Sequence, residues 1–323
     1  MDCWPNDHVL RSDRLYYLLA LYWQLHGHRL SRVLVNASSR VGSLIGALFC
    51  FSRIWYYSLM EKKIYERLES FCMAKNEGTC YRNGTKPTPR VRWILSLLDE
   101  LGLQYELDEW RVSTERCMWN IYLHSVERQP IVLMAHHDIV NPESDNANDN
   151  SASVINAIAA KLERPELMVV LTDGEETGGV GADRYARLVL DGRLPRPVWV
   201  LNLELTGRGG KSWFIGDDIE GPLKSYLLSK HDAETVNVPF NDSVIVRRHG
   251  IDSCVINPLP KDEDGEFELW RLYRCHSMED TLDEVSTQDM QEFVEEVILP
   301  IVDGWQRPRT GVWHRLFGWL RKI

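Results

Sequence analysis

Residues 131–138 read Ile-Val-Leu-Met-Ala-His-His-Asp, an apolar run that ends in two histidines and an aspartate. A short apolar run of this kind is typical of a strand that is buried on both faces of a sheet. In open α/β sheets, ligands bind beyond the carboxyl ends of the strands. The stretch therefore predicts a parallel or mixed sheet with a site that begins at His136.

Two further apolar runs, at 167–172 and 198–205, end beside acidic residues. Glu175-Glu176 follows the first run, and Glu204 lies near the end of the second. Segments with helical periodicity separate these runs along the chain. Because strands that alternate with helices form parallel pairs, the pattern predicts an α/β fold with three layers, α/β/α, around a central mixed, mostly parallel sheet.

The other periodic segments predict a hairpin and several helices. Two segments rich in β-forming residues, 105–112 and 118–124, predict a β-hairpin. Apolar spacing and capping residues predict helices at 60–74, 87–101, 151–163, 180–190, 218–230 and 286–303.

His136 and Asp138 form a His-x-Asp pair whose side chains point to the same face of a strand. The imidazole of His136 can bind a metal, and the carboxylate of Asp138 can hold the ring in the required tautomer. His137 points to the opposite face, and we interpret it as a packing residue. Asp149 lies in a polar loop, where it is either a helix cap or a carboxylate that gives one oxygen to each of two metals.

Glu175-Glu176, Glu204 and His276 complete the set of candidate site residues. Adjacent glutamates at a strand end point in different directions, so one can ligate a metal while the other faces the substrate water. Glu204 is flanked by leucines in a buried strand, and a buried carboxylate needs a compensating partner, which a metal supplies. Each position alone has an ordinary structural explanation. Their occurrence in this order predicts a metal-dependent hydrolase.

The composition of the chain argues against one class of partner and indicates a cellular compartment. The 323-residue chain has a net charge of −10, which argues against a nucleic-acid partner. Its seven cysteines are an odd number and include no Cys-x-x-Cys pair, which is typical of an intracellular protein with free thiols. We therefore expect a cytoplasmic location, with a Cys254–Cys275 disulfide as the alternative.

The two ends of the chain differ from its centre. Residues 1–59 contain six Arg and three Asp but no Lys or Glu, and the uncharged run at 41–52 is shorter than the roughly 20 residues of a membrane helix. This segment is a membrane-associated helix, a packed extension, or sequence upstream of a true start at Met60. The basic amphipathic tail, 306–323, either contacts a membrane surface or a partner, or docks on its own domain.

The motifs together resemble the co-catalytic zinc exopeptidase family, which includes bacterial leucyl aminopeptidase, aminopeptidase S, glutamate carboxypeptidase II and the glutaminyl cyclases. The resemblance covers residues 60–305, which we expect to form a metallopeptidase domain. It is carried by Ala-His-His-Asp at 135–138, Asn-Asp-Asn-Ser-Ala-Ser at 148–153, Asp-Gly-Glu-Glu at 173–176, Leu-Asn-Leu-Glu at 201–204 and His-Ser-Met-Glu-Asp-Thr-Leu-Asp at 276–283.

This resemblance implies two divalent metal ions, zinc in the family, that share Asp149 as a bridge. One ion would be held by His136, Asp149 and Glu204. The other would be held by Asp149, Glu176 and His276. Asn-Asp-Ser at 241–243 is also similar to a loop that precedes the last strands of the family.

The resemblance also implies the catalytic roles. Glu175 would be the general base, and Asp138 would orient His136. The expected activity is that of an aminopeptidase acting on peptides or small aminoacyl substrates. Two alternatives are a glutaminyl-cyclase-like acyltransferase with one zinc and a deacylase of the carboxypeptidase and acylase type. A non-catalytic binding protein of the same fold is a third.

Two departures from the family pattern bear on these expectations. Glu204 stands where most members have Asp, so the reach of this ligand differs. Ser151-Ala152-Ser153 replaces a usual Ser-Gly at the start of the following helix. His276 comes 72 positions after Glu204, a spacing too short for the inserted lid domain of the deacylase group.

Overall fold

The computed structural model describes residues 63–75, 86–114, 116–216 and 220–305. The predicted N-terminal extension, Met60 and the predicted tail lie outside the described residues. The division of the chain into extension, domain and tail therefore stays a prediction.

One eight-stranded sheet forms the centre of the described chain. Its spatial order is β1-β2-β4-β3-β5-β8-β6-β7, for the strands β1 (Glu106–Arg111), β2 (Cys117–Leu123), β3 (Ile131–His136), β4 (Met168–Thr172), β5 (Trp199–Leu203), β6 (Trp213–Gly216), β7 (Glu234–Val236) and β8 (Ser253–Pro258). The four central strands β4, β3, β5 and β8 run parallel to one another, and β6 runs parallel to β7. The pairs β1–β2, β2–β4 and β6–β8 are antiparallel, so the mixed sheet and the hairpin are confirmed.

Helices connect most of these strands. They are α1 (Leu68–Met73), α2 (Pro89–Glu100), α3 (Ala152–Glu163), α4 (Val180–Leu190), α5 (Pro222–His231), α6 (Asp242–Arg248), α7 (Thr287–Phe293) and α8 (Leu299–Gly304). Wider turns at Ala147–Ser151 and Val294–Ile298 lead into α3 and α8, and 3-10 helices span Leu269–Arg274 and Leu282–Glu284. None of the helices in the described ranges has the length and apolar character that crossing a membrane requires.

The alternation of side chains along β3 explains the three layers. Leu133 and Ala135 belong to a buried cluster that includes residues of α2, α3, α7 and α8. Val132 and Met134 point the other way, into a cluster with α4 and α6. Every side chain of β3 is buried, and full burial of one such apolar side chain stabilises a fold by about 1.5–3 kcal/mol. The predicted α/β/α arrangement is therefore confirmed.

Most of the predicted strands and helices are present in the described residues. Three strands and one α-helix were not predicted from the sequence. The hairpin strands, β3, β4, β5 and the helices α2, α3 and α4 lie where the pattern places them. The strands β6, β7 and β8 and the helix α6 have no counterpart among the expected elements. Neither Cys254 nor Cys275 forms a disulfide, so the alternative of a disulfide between them is wrong.

Lys161 ties α3 to the loops at the amino-terminal edge of the sheet. Its side chain is buried, and its Nζ donates hydrogen bonds of 2.7 Å to the carbonyl oxygens of His124, Pro165 and Leu167. These carbonyls belong to the segments that leave β2 and enter β4. One ammonium group therefore satisfies three backbone acceptors.

Replacing Lys161 with Met keeps the aliphatic stem and removes the donor. A buried acceptor that loses its partner costs about 1–3 kcal/mol, so K161M should lower the free energy of unfolding by at least about 2 kcal/mol in urea denaturation followed by tryptophan fluorescence. K211M, at an exposed turn, is the control and should leave the midpoint unchanged. Equal midpoints for the two variants would contradict the role given to Lys161.

Candidate metal centre

The predicted site residues meet at the carboxyl edge of the four parallel strands. His136 is the last residue of β3 and pairs with Thr172, the last residue of β4. Glu204 follows the last residue of β5. Because adjacent parallel strands end at the same edge, residues distant in sequence converge there.

His136 lies in the buried half of the site. Its Nε2 is 3.1 Å from Oδ1 of Asp149 and 3.5 Å from Oε2 of Glu204. The imidazole is 1% exposed, and the two carboxylates are nearly as buried. One donor atom from each of the three residues lies within 4.8 Å of the other two, which is close enough to hold one ion.

His276 lies in the more exposed half. Its Nε2 is 3.3 Å from Oδ2 of Asp149 and 3.2 Å from Oε2 of Glu176, and its side chain is 57% exposed. Asp149 therefore presents one oxygen to each histidine. All five residues predicted to hold metal are brought together, and none of them lies apart from the group.

Asp138 connects the two halves. Its Oδ1 lies 3.4 Å from Nδ1 of His136, where a carboxylate can orient the ring. The same carboxylate accepts hydrogen bonds of 3.2 Å from the backbone amides of Glu175 and Glu176. The sequence predicted the contact with His136, but the support of the Glu175-Glu176 turn was not foreseen.

The Glu175-Glu176 turn brings both carboxylates to the site. A carboxylate oxygen of each lies within 4.8 Å of a ring nitrogen of His136. The chain then turns through Gly178 and Gly179, which have φ values of +98° and +70°. A Cβ at Gly179 would meet Ile245 of α6 at 2.6 Å, so the missing side chain lets the backbone pass close to α6.

Asparagine side chains hold Glu204. Asn150 donates from Nδ2 to Oε2 at 2.9 Å, and Asn202 donates from Nδ2 to Oε1 at 3.0 Å. Both asparagines were within the quoted motifs, yet no role was predicted for them. Their role follows from their burial beside the Glu204 carboxylate, and the sequence alone does not show that burial.

Asp280 holds the backbone of the bridging residue. It is 3% exposed, and its two oxygens accept hydrogen bonds from the amides of Asn148 at 2.8 Å and Asp149 at 3.0 Å. Ser144 also donates to the carbonyl of Asp280 at 2.8 Å. Asp280 thus joins the loop that carries Asp149 to the segment that carries His276.

Arg90 is a fully buried cation beside the site and was not predicted. Its Nε donates to the carbonyl oxygen of His137 at 2.7 Å, and its Nη2 donates to Oγ of Ser151 at 2.9 Å. Phe71 packs against the guanidinium with its ring centroid 4.0 Å away. The His137 ring itself is buried, with Nε2 2.8 Å from the carbonyl oxygen of Trp119, so its predicted packing role is confirmed.

The site has an excess of buried carboxyl groups, whose charged forms are unfavourable without a compensating cation. Burial raises the pKa of Glu175 to about 10 and that of Glu176 to about 7, and neighbouring carboxylates add to both shifts. Burial also raises the pKa of Asp242 to about 7, and its Oδ1 has no hydrogen-bond partner, although Thr172 donates to its Oδ2 at 2.6 Å. A divalent cation would offset this charge. The imidazole and carboxylate donors therefore fit a zinc-type ion.

Comparison with known proteins places this site in context. The model of the family described as "Peptidase family M28" matches residues 121–301, which include β3 and all the candidate site residues. No curated protein matches the chain in sequence at a significant level.

Many solved structures share the fold, and three of them serve as examples. The aminopeptidase LapA of Legionella pneumophila is 14% identical, with a TM-score of 0.57 over 75% of this chain and 70% of that chain. A glutaminyl cyclase of Tannerella forsythia is 14% identical, with a TM-score of 0.56 over 76% and 99%. A glutaminyl cyclase of Fimbriiglobus ruber is 15% identical, with a TM-score of 0.55 over 76% and 95%. At such identities the likeness shows the fold alone.

Asp280→Ala removes both acceptors that hold the Asn148 and Asp149 amides. We expect divalent-ion affinity to fall by about 10- to 100-fold, as for other residues that support a ligand. Zinc titration against a chelating indicator measures this, with circular dichroism to confirm the fold. Asp283→Asn, an exposed aspartate three residues away, is the control. Zinc affinity that is unchanged in D280A would show that Asp149 holds its position without Asp280.

Proposed function

This chain belongs to peptidase family M28, a family of metal-dependent peptidases, and we propose that it is an aminopeptidase that removes single residues from free N-termini. The observation that carries the proposal is the position of Asp149 between two histidines, with one oxygen toward each. A carboxylate placed in this way suits a pair of ions rather than one.

The proposed ligands divide into two groups that share Asp149. His136 and Glu204 complete the buried group, and Glu176 and His276 complete the exposed group. We propose zinc for both positions, because two imidazoles and three carboxylates match its usual donors. Divalent ions at such a site supply Lewis acidity, which makes water more acidic and polarises a carbonyl.

Glu175 is the proposed general base. It is not needed in either ligand group, and its backbone is fixed by Asp138. Burial favours the protonated form of Glu175 and raises its pKa, and the positive charge of the proposed ions would lower that pKa so that the carboxylate can accept a proton. Glu175 would take the proton from the attacking water and deliver it to the leaving amine.

The negative charge of the site supports recognition of a free amine. Beyond the five proposed ligands, the buried carboxylates of Asp138, Glu175 and Asp242 lie at the same edge. Bound ions would lower the raised pKa values of Glu175 and Asp242 and so favour their charged forms. A protonated N-terminus that approaches past the exposed His276 would then meet an attractive field. A blocked N-terminus has no charge and would not be attracted by this field.

A glutaminyl-cyclase activity is the second candidate. Two of the structures that share the fold are glutaminyl cyclases, and the family resemblance implies that a cyclase-like member would hold one zinc. Asp149 directs one carboxylate oxygen to His136 and the other to His276, and this arrangement favours the two-ion peptidase. Metal stoichiometry and substrate preference separate the two proposals.

Glu175→Gln is nearly isosteric and removes the basic oxygen. We expect peptide hydrolysis to fall by about 10²- to 10⁴-fold, the usual contribution of a general base. The metal content, measured by mass spectrometry of the purified protein, should stay at the wild-type value. Glu127→Gln, on the surface loop between β2 and β3, is the control. Turnover that is unchanged in E175Q would exclude Glu175 as the base.

The choice among activities is tested with matched substrates. We expect aminoacyl-anilides with a free amine to be hydrolysed, N-acetylated anilides to be left intact, and two zinc ions to be bound per chain. Cyclisation of an N-terminal glutamine by protein that holds one zinc would favour the cyclase. Cleavage of the acetylated substrates would favour the deacylase.

A further inference from the structure

Cys275 lies at the edge of the proposed metal centre. It directly follows the 3-10 helix Leu269–Arg274 and directly precedes His276. One donor atom from each of Asp149, Cys275 and His276 lies within 4.8 Å of the other two. These three side chains of ligand type form a compact group that shares Asp149 and His276 with the exposed ion position.

We propose that the Cys275 thiolate is an additional ligand of the exposed ion position, beside Asp149 and His276. The inference rests on the proposed function, because it presumes an ion at that position. It gives the two positions different chemistry, since the His136 group contains only nitrogen and oxygen donors. Zinc and cadmium would then be preferred over manganese and magnesium at the exposed position.

The surroundings of Cys275 allow this change of partner. The thiol is partly buried, and its Sγ donates to the carbonyl oxygen of Leu272 at 3.0 Å. On coordination, the S–H bond breaks, its proton passes to solvent, and the bond to Leu272 is exchanged for one between sulfur and the ion. Leu272 is the buried residue of the 3-10 helix Leu269–Arg274, so the bond between sulfur and the ion must outweigh the loss of the weak S–H donor.

The other described cysteines do not compete for this role. Cys72, Cys117 and Cys254 are buried, and none of them joins a metal-type group among the described residues. Cys117, at the start of β2, therefore offers a matched control. A thiolate signal that depends on Cys275 alone identifies the ligand.

Cobalt spectroscopy of the full-length protein tests the proposal. Protein loaded with Co²⁺ should show a sulfur-to-cobalt charge-transfer band in the near ultraviolet. The band should be lost in Cys275→Ser and kept in Cys117→Ser. A wild-type protein that binds cobalt without this band, or a band that persists in C275S, would overturn the role of Cys275 and leave the metal centre standing. A protein that binds no divalent ion at all would instead overturn the proposed function.

A second measurement uses the wild-type protein and does not depend on the folding of a variant. Mass spectrometry after brief treatment with iodoacetamide reports the labelling of each cysteine. Zinc should slow the labelling of Cys275 at least tenfold relative to metal-free protein, whereas magnesium should not. Labelling of Cys275 at the same rate with and without bound zinc would contradict coordination by its sulfur.

Discussion

The concentration of buried carboxylates at one edge of the sheet is the constraint on which the rest of the structure depends. An isolated buried charge is strongly unfavourable, so each carboxylate needs donors built into the fold. Asp138 and Asp280 each receive two backbone amides, and Glu204 receives two asparagine side chains. Arg90 adds one fully buried positive charge. The loops at this edge are shaped by these donors, and bound divalent cations would offset part of the excess charge that remains.

The two histidines lie in different surroundings, so one side of the site is buried and the other is accessible. His136 belongs to a central strand and is almost fully buried, whereas His276 follows a short 3-10 helix and is more than half exposed. A ligand on a central strand is held by the core, but one on a surface segment needs a separate anchor. Asp280 supplies that anchor by binding the loop of Asp149. Substrate would therefore approach from the His276 side, where the surface segment leaves the donors accessible.

The sequence predicted the parts of the fold that follow from uninterrupted apolar runs. The strands β3, β4 and β5 are such runs, and the acidic and histidine residues that follow them lie together as expected. The strands β6 and β7 have only four and three residues, and β8 contains asparagine and proline, so neither length nor periodicity marks them. The roles of Arg90 and Asp280 depend on bonds between residues far apart in the chain. A single sequence carries no signal for such bonds.

Glu204 shows how a departure from a family pattern is accommodated. Its longer side chain stands where an aspartate is usual, and the structure holds its oxygens with Asn202, two residues earlier, and with Asn150. Asn150 also accepts from the amide of Leu205, whose φ of +55° turns the chain away directly after the carboxylate. The added methylene is therefore matched by a sharp backbone turn and two side-chain donors, which leave Oε2 3.5 Å from the His136 ring. The position of the Glu204 carboxylate therefore depends on these neighbours as well as on the length of the side chain.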